Sequence, residues 1–133
     1  MQTDPRVELV LKAYAALEAD DVPAVLELFA GDATVDHSAP GQLPYGGVWQ
    51  GTDGIARFLE VHDDTEEIVD FEPGSIGGGS GNVFVRGFFR GRSRSTGRTW
   101  ETRWVHIFRV EGGRLQRWEA FFDTAAALGA YRP

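Results

Sequence analysis

The stretch WVHIFRVEGGRLQRWEAFFDT, residues 104–124, reads as a β-hairpin. Apolar and polar residues alternate on both sides of Glu111-Gly112-Gly113, and a Gly-Gly turn between alternating runs is a strong hairpin signal. On the incoming strand, read over 98–110, Trp100, Thr102, Trp104, His106, Phe108 and Val110 share one side. Glu101, Arg103, Val105, Ile107 and Arg109 share the other. On the outgoing strand, 114–122, Trp118, Ala120 and Phe122 form the matching inner set, with Arg117, Glu119 and Phe121 outside. The aromatic side is expected to face a layer of helices, because a sheet with one apolar face must bury it.

Working outward, two more period-two runs read as strands at 66–74 and 82–92, with turns at 77–81 and 95–97. Val83, Val85, Gly87 and Phe89 take the inner side of 82–92, and Gly87 and Gly91 leave room for the sheet to bend. Upstream the period changes. Thr3, Asp4 and Pro5 form a helix start, and Val7, Val10, Leu11, Tyr14 and Leu17 follow as one apolar stripe. Asp20 and Asp21 end that helix and cap a second, with Pro23 in its first turn and Val25, Leu26 and Phe29 behind it. Ala33–His37 reads as a short strand and residues 38–51 as a Gly/Pro-rich loop. Thr52 and Asp53 cap a third helix with Ile55, Phe58 and Leu59 on its buried face. Asp123 caps a last helix at 124–131. Helices followed by antiparallel strands predict an α+β fold, one domain over residues 1–133.

Composition narrows the function classes. The net charge of −7 gives no field to draw nucleic acid to the chain. The absence of cysteine removes disulfides, thiol nucleophiles and thiolate metal sites. No apolar run is long enough to span a membrane, and the polar N-terminus does not resemble a signal peptide, so a cytoplasmic protein is expected. The three histidines are far apart with no i,i+4 pair, so no metal site is expected, and no cofactor is called for.

Three segments, LELFAGDATV (26–35), YGGVWQGTDGIARFL (45–59) and residues 104–124, together resemble the nuclear-transport-factor-2-like superfamily. Within it the resemblance is to SnoaL-like polyketide cyclases and ketosteroid isomerases. It implies a cone: a curved mixed or antiparallel sheet wrapped around three N-terminal helices, with an apolar pocket at the open end. It also implies where active groups sit. The carboxylate base of the isomerases falls on His37, their second buried carboxyl falls on His106, and their tyrosine on Ala13, beside Tyr14. The acid/base carboxylate of the cyclases falls on Ala120. These departures weigh against steroid isomerisation itself, and the residue types come closest to a histidine-based dehydratase scheme.

The expected catalytic set is therefore His37, His106 and Tyr14. Alternation turns His37 inward and its neighbour Asp36 outward, and an imidazole with a pKa near 6.5 exchanges protons at neutral pH, which predicts an acid limb there. The expected substrate pocket is Val35, Trp49, Phe58, Val85, Phe89, Trp104, Phe108, Trp118, Ala120 and Phe122, with Tyr45 at its rim. Trp104, Trp118 and Phe122, with Trp100, also read as plain core, and Trp49 and Tyr45 as two aromatics that anchor the loop. His62 is assigned to a favourable helix dipole. Arg86, Arg90, Arg92, Arg94 and Arg98, with Phe84 and Phe88, are read as a solvated or dimer-forming outer face. The expected function is cofactor-free proton transfer (isomerisation, aldol-type cyclisation or dehydration) on a small hydrophobic oxygenated molecule. The alternative is a non-catalytic small-molecule-binding or dimerisation domain. A homodimer through the outer sheet face is expected, with no nucleic-acid or membrane partner.

Overall fold

The computed structural model describes residues 4–133. Its elements are α1 (Pro5–Glu18), α2 (Val22–Glu27), β1 (Phe29–His37), β2 (Gly47–Gln50), α3 (Gly51–Thr65), β3 (Glu66–Gly79), β4 (Asn82–Ser93), β5 (Thr99–Glu111), β6 (Arg114–Phe122) and α4 (Thr124–Tyr131). Three helices and a strand pair precede a four-stranded antiparallel meander, which is the α+β order that the change of period predicts.

Helix starts are set by local chemistry. Asp4 accepts the backbone N–H of Arg6 at 2.9 Å, with Pro5 in the first turn where a missing N–H costs nothing. Thr3, the other proposed cap, lies outside the described residues. Asp21 and Asp123 cap α2 and α4 by accepting from Ala24 and Ala126. The third helix differs from expectation: it starts at Gly51 after an uncapped Gln50, so Thr52 and Asp53 lie inside its first turn. Gly51 makes that start possible, since its φ of 72° suits a residue without Cβ. On α1, Val10, Ala13 and Tyr14 are buried but Leu11 is exposed, because one residue rotates it about 100° off the stripe. Phe29, placed behind α2 from the sequence, begins β1 instead.

The six strands order as β2-β1-β6-β5-β4-β3, with β1 and β6 parallel and every other pair antiparallel. Strand β2 falls inside the region read as loop; four residues between Gly-rich flanks carry too little alternation to stand out. Strand β3 runs five residues past its expected end, through Gly77–Gly79, and the turn shrinks to Ser80-Gly81 with both φ positive. Paired backbone keeps those glycines in the ladder although they have no side chains to pack. A register shift between Arg109 and Val110 pairs Val110 with Leu115, so Leu115 is buried although it is out of phase with Trp118.

The inner face of β4 and β5 follows the expected alternation, and the helices cover it. The two glycines flagged on β4 have a more specific use than bending. A Cβ on Gly87 would overlap the Trp104 indole, and one on Gly91 would meet the Phe89 ring and the Glu66 carboxylate. Gly87 makes room for Trp104 of β5, and Gly91 for Phe89 of its own strand and Glu66 of β3.

Candidate functional site

Strand pairing sets out the inner face as a grid. His37 of β1 pairs with Ala120 of β6, Ala120 with His106 of β5, and His106 with Val85 of β4. The two imidazoles therefore lie in one row on one face, two strand spacings or about 10 Å apart at the backbone. One neighbouring row is Trp49, Val35, Trp118, Phe108 and Val83. The other holds Phe122, Trp104 and Gly87. Small Ala120 thus sits between two histidines and between two aromatic rows.

Two helices cover this row. Tyr14 of α1 covers the β5 side, its ring centroid 5.9 Å from His106, 6.2 Å from Trp104 and 5.7 Å from Phe108. Phe58 of α3 covers the β1 side, 5.3 Å from His37 and 5.8 Å from Trp118. The Tyr14 hydroxyl and His106 Nδ1 are joined by a 2.9 Å hydrogen bond. Burial pushes the Tyr14 hydroxyl above its ordinary range, so it is the natural donor to a neutral imidazole. His106 stacks on Trp104 at 4.1 Å and meets Trp118 edge-on at 5.3 Å.

His37 is 9 % exposed and ringed by Tyr45, Phe58, His62 and Phe122. Burial, with the nearby His62 imidazole adding to it, lowers its pKa to about 3. Burial likewise holds His106 well below the ordinary value, with His37 contributing repulsion, and lowers His62 to about 4. All three are neutral at pH 7, so the expected acid limb near 6.5 moves down with them. Three buried polar atoms in this region have no hydrogen-bond partner among the described residues: His37 Nδ1, Trp104 Nε1 and Trp118 Nε1.

Asp36 faces outward and bonds Arg117 at 3.0 Å, so the adjacent Asp–His pair in the sequence is not a pair in space. Tyr14, Phe58, Val35, Val85, Trp104, Phe108, Trp118, Ala120 and Phe122 gather around the two histidines. Trp49 is set back at the edge, 5.9 Å from Phe58 with its indole N–H on the Tyr45 carbonyl. Phe89 packs on Trp100 instead, one row beyond Trp104. Two shallow surface depressions, of about 370 and 460 Å³, lie beside the C-terminal helix and between α1 and the β5–β6 turn. Neither is lined by the histidine row.

Sequence reasoning missed two features. His62 continues the α3 stripe Ile55, Phe58, Leu59 at helical spacing, and that periodicity was the available signal for its packing against Phe58, Tyr45 and His37. Its environment is aromatic, which corrects the helix-dipole assignment. The second feature is Glu66, 1 % exposed at the start of β3. It accepts from the Tyr45 hydroxyl at 2.8 Å, the Tyr131 hydroxyl at 2.9 Å and Trp100 Nε1 at 3.0 and 3.1 Å. Burial raises its pKa against the pull of those donors. Through it the 38–46 loop, β3, β5 and α4 are joined at one point, and Tyr45 is held against His37.

Among solved structures, an NTF2-like protein from Burkholderia xenovorans LB400 is 30% identical, with TM-score 0.89 and 99% of both chains covered. TerC, crystallised with polyporic acid, is 24% identical, with TM-score 0.82 and 96% of this chain and 98% of its own covered. An uncharacterised protein of Mycobacterium tuberculosis is 26% identical over 98% of both chains. The curved open sheet with its helical filling is the NTF2-like fold that the resemblance implied. Residues 10–118 match the SnoaL-like domain, and the chain belongs to that family.

Proposed function

We propose that the protein is a cofactor-free enzyme that moves a proton next to a carbonyl on a small, largely hydrophobic oxygenated molecule. The observation that carries this reading is the buried row of His37, Ala120 and His106, with His37 Nδ1 unpartnered and His106 tied to Tyr14. In the tautomer protonated at Nε2, His37 presents a free Nδ1 lone pair as base. With Tyr14 donating to His106 Nδ1, the remaining Nε2–H of His106 serves as a donor to the enolate oxygen. The proton rests on His37 and returns to the carbon skeleton at another position, or to a leaving hydroxyl. A base held at low pKa by burial accepts a proton when negative charge forms beside it, since imidazolium and enolate attract strongly in a low-dielectric site. TerC, a relative of the same fold, was crystallised with polyporic acid, which supports a site for an oxygenated small molecule.

The test is deuterium exchange at the α-carbons of 2-tetralone in D2O, followed by NMR. Exchange is expected to fall about 10²–10⁴-fold in His37→Ala and about 10²-fold in His106→Ala. Between pH 5.5 and 8 the rate should be flat, because the base is neutral throughout and its limb lies near its lowered pKa. Unaltered rates in both variants, or a limb at pH 6.5, would overturn the mechanism.

The same proposal includes a homodimer through the outer sheet face. Phe84, Val105 and Phe121 are each 40–46 % exposed, and Val105 pairs with Phe121 while Phe84 pairs with Ile107. Arg86 and Arg103 flank this patch on the β4–β5 side, and Asp36 and Glu119 on the β1–β6 side. A two-fold axis across the patch would bury these apolar side chains against their own copies, with the charged flanks, where Arg117 already pairs Asp36 and Glu119, left at the rim. Sedimentation should give a dimer that Val105→Asp converts to monomer. A wild-type chain that stays monomeric at high concentration excludes this interface.

A further inference from the structure

The histidine row is covered: His37 is 9 % exposed, His106 7 % and Ala120 1 %. A substrate therefore reaches the imidazoles only when a covering element moves. Helices α1 and α3 are held in the core by Val10, Ala13 and Tyr14 of one and Ile55 and Phe58 of the other. Moving either helix exposes a large apolar area to water. The one cover over His37 that belongs to neither a helix nor a strand is Tyr45. Its ring stands edge-on to the imidazole at 5.0 Å, and it lies in the irregular connection between β1 and β2.

That connection is built as a unit. Its ends are held in the sheet, where His37 pairs with Gly47 and Ser38 Oγ donates to the Ala120 carbonyl at 2.6 Å. Residues 39–46 between them close on themselves. The N–H groups of Gln42 and Leu43 both donate to the Ala39 carbonyl at 3.2 Å, and that of Gly46 to the Leu43 carbonyl at 3.1 Å. A Cβ on Gly46 would overlap the Ala39 carbonyl, so the two ends of the loop touch. At each end the backbone is left-handed, with φ 64° at Ala39 and 104° at Gly47. For alanine that region is strained, and such strain collects at moving and binding segments. Two hydrogen bonds tie the loop to neighbouring elements. The Tyr45 hydroxyl donates to Glu66 at 2.8 Å, and the Trp49 indole donates to the Tyr45 carbonyl at 3.1 Å. On the outer side Gln42 lines the depression of about 370 Å³ together with Leu128 and Tyr131 of α4, so solvent reaches the seam between loop and helix.

We propose that residues 39–46 are a lid over the histidine row, hinged at Ala39 and Gly47 and latched where the Tyr45 hydroxyl meets the Glu66 carboxylate. Opening draws the Tyr45 ring off His37 and joins the depression beside α4 to the candidate base. It also withdraws Leu43, which is 4 % exposed, so the closed form is the populated one. Tyr131 ties α4 to the same Glu66 oxygen but lies outside the lid. This inference rests on the site proposed above and adds how a substrate enters it.

The probe is diethyl pyrocarbonate at pH 7, with the modified histidines located by mass spectrometry. It acylates neutral imidazole, and all three histidines are neutral at that pH, so initial rates report access rather than charge. In the wild-type protein His37 should react well ahead of His106, although the two are almost equally covered, because Tyr14 of α1 stays over His106. Tyr45→Phe removes the latch and keeps the ring, so His37 should react about tenfold faster or more, the value of a hydrogen bond to a carboxylate. Gly47→Ala strains the closed hinge and should act in the same direction. Tyr131→Phe takes a bond from the same carboxylate without touching the lid, and should leave the His37 rate near that of the wild type. The wild-type order of reaction serves even if a variant fails to fold. The inference is overturned if His37 and His106 react together, or if Tyr45→Phe and Tyr131→Phe act alike. The expected pattern without 2-tetralone exchange would leave the lid standing and remove the proton-transfer reading. Exchange with a His37 rate that Tyr45→Phe does not change would keep that reading and remove the lid.

Discussion

Lowering the pH from 7 to 5 should remove about 2 kcal/mol of folding stability through His37 alone, measured as a fall in the urea midpoint, and His106 adds to the loss in the same direction. Each is less than a tenth exposed and has a pKa lowered by burial, His37 to about 3. In the unfolded chain each returns to about 6.5. Between those values the unfolded state binds more protons, so stability is fully present above about pH 6.5 and declines as pH falls towards the folded pKa. The slope is about 1.4 kcal/mol per pH unit per group, and pH 5 lies about 1.5 units below the unfolded value. Even the His37 part is a large fraction of the stability of a marginal domain. His62, lowered to about 4, adds in the same direction. Glu66 opposes: its raised folded pKa gives a contribution that is complete at low pH and lost as pH rises through that value. Asp36 and Arg117 face outward and do not touch the imidazoles. Replacing His37 and His106 together by glutamine should flatten the pH dependence. Equal stability at pH 5 and pH 7 in the wild-type protein would show that the imidazoles are solvated.

Glu66→Ala should cost about 4 kcal/mol, lowering Tm by about 10–15 °C. The change leaves the Tyr45 hydroxyl and the Trp100 indole without their acceptor, leaves Tyr131 only the Thr65 carbonyl at 3.2 Å, and opens a void where the carboxylate stood. Glu66→Gln keeps the acceptor oxygen that takes all three donors but sets an amide NH2 against the Trp100 N–H in place of the second oxygen, so it should lie between Ala and the parent. The control is Glu67→Ala, which removes an exposed pair with Arg92 and should change stability by less than about 1 kcal/mol. If the two alanine variants melt together, Glu66 is not the joint that the geometry describes. Tyr45 reaches from Glu66 to the His37 ring, 5.0 Å away, so Glu66→Gln should also alter the setting of the candidate base.

Much of the fold was legible because it rests on periodicity. Strand β6 and helix α4 end where the alternation and the aspartate cap place them, and the inner faces of β4 and β5 follow the pattern residue by residue. The elements that escaped are those in which periodicity is short or absent. Strand β2 is four residues long, and the glycines that close β3 stay in the ladder through backbone pairing alone. For the site, alternation turned His37 in and Asp36 out, and helical spacing put Tyr14 on the buried stripe.

The chain by itself thus determined which side chains face the core, because a side chain's face depends on its own strand or helix. What only the tertiary structure decided is which of them meet. The parallel pairing of β1 with β6 sets His37 two strands from His106, and no local pattern encodes that partner. Glu66 gathers Tyr45, Trp100 and Tyr131 from segments far apart in the chain. Burial then turns imidazoles of ordinary pKa into neutral groups and leaves two indole donors without acceptors. Desolvation and unmet hydrogen bonds depend on neighbours from the whole molecule, so they appear only once the chain is folded.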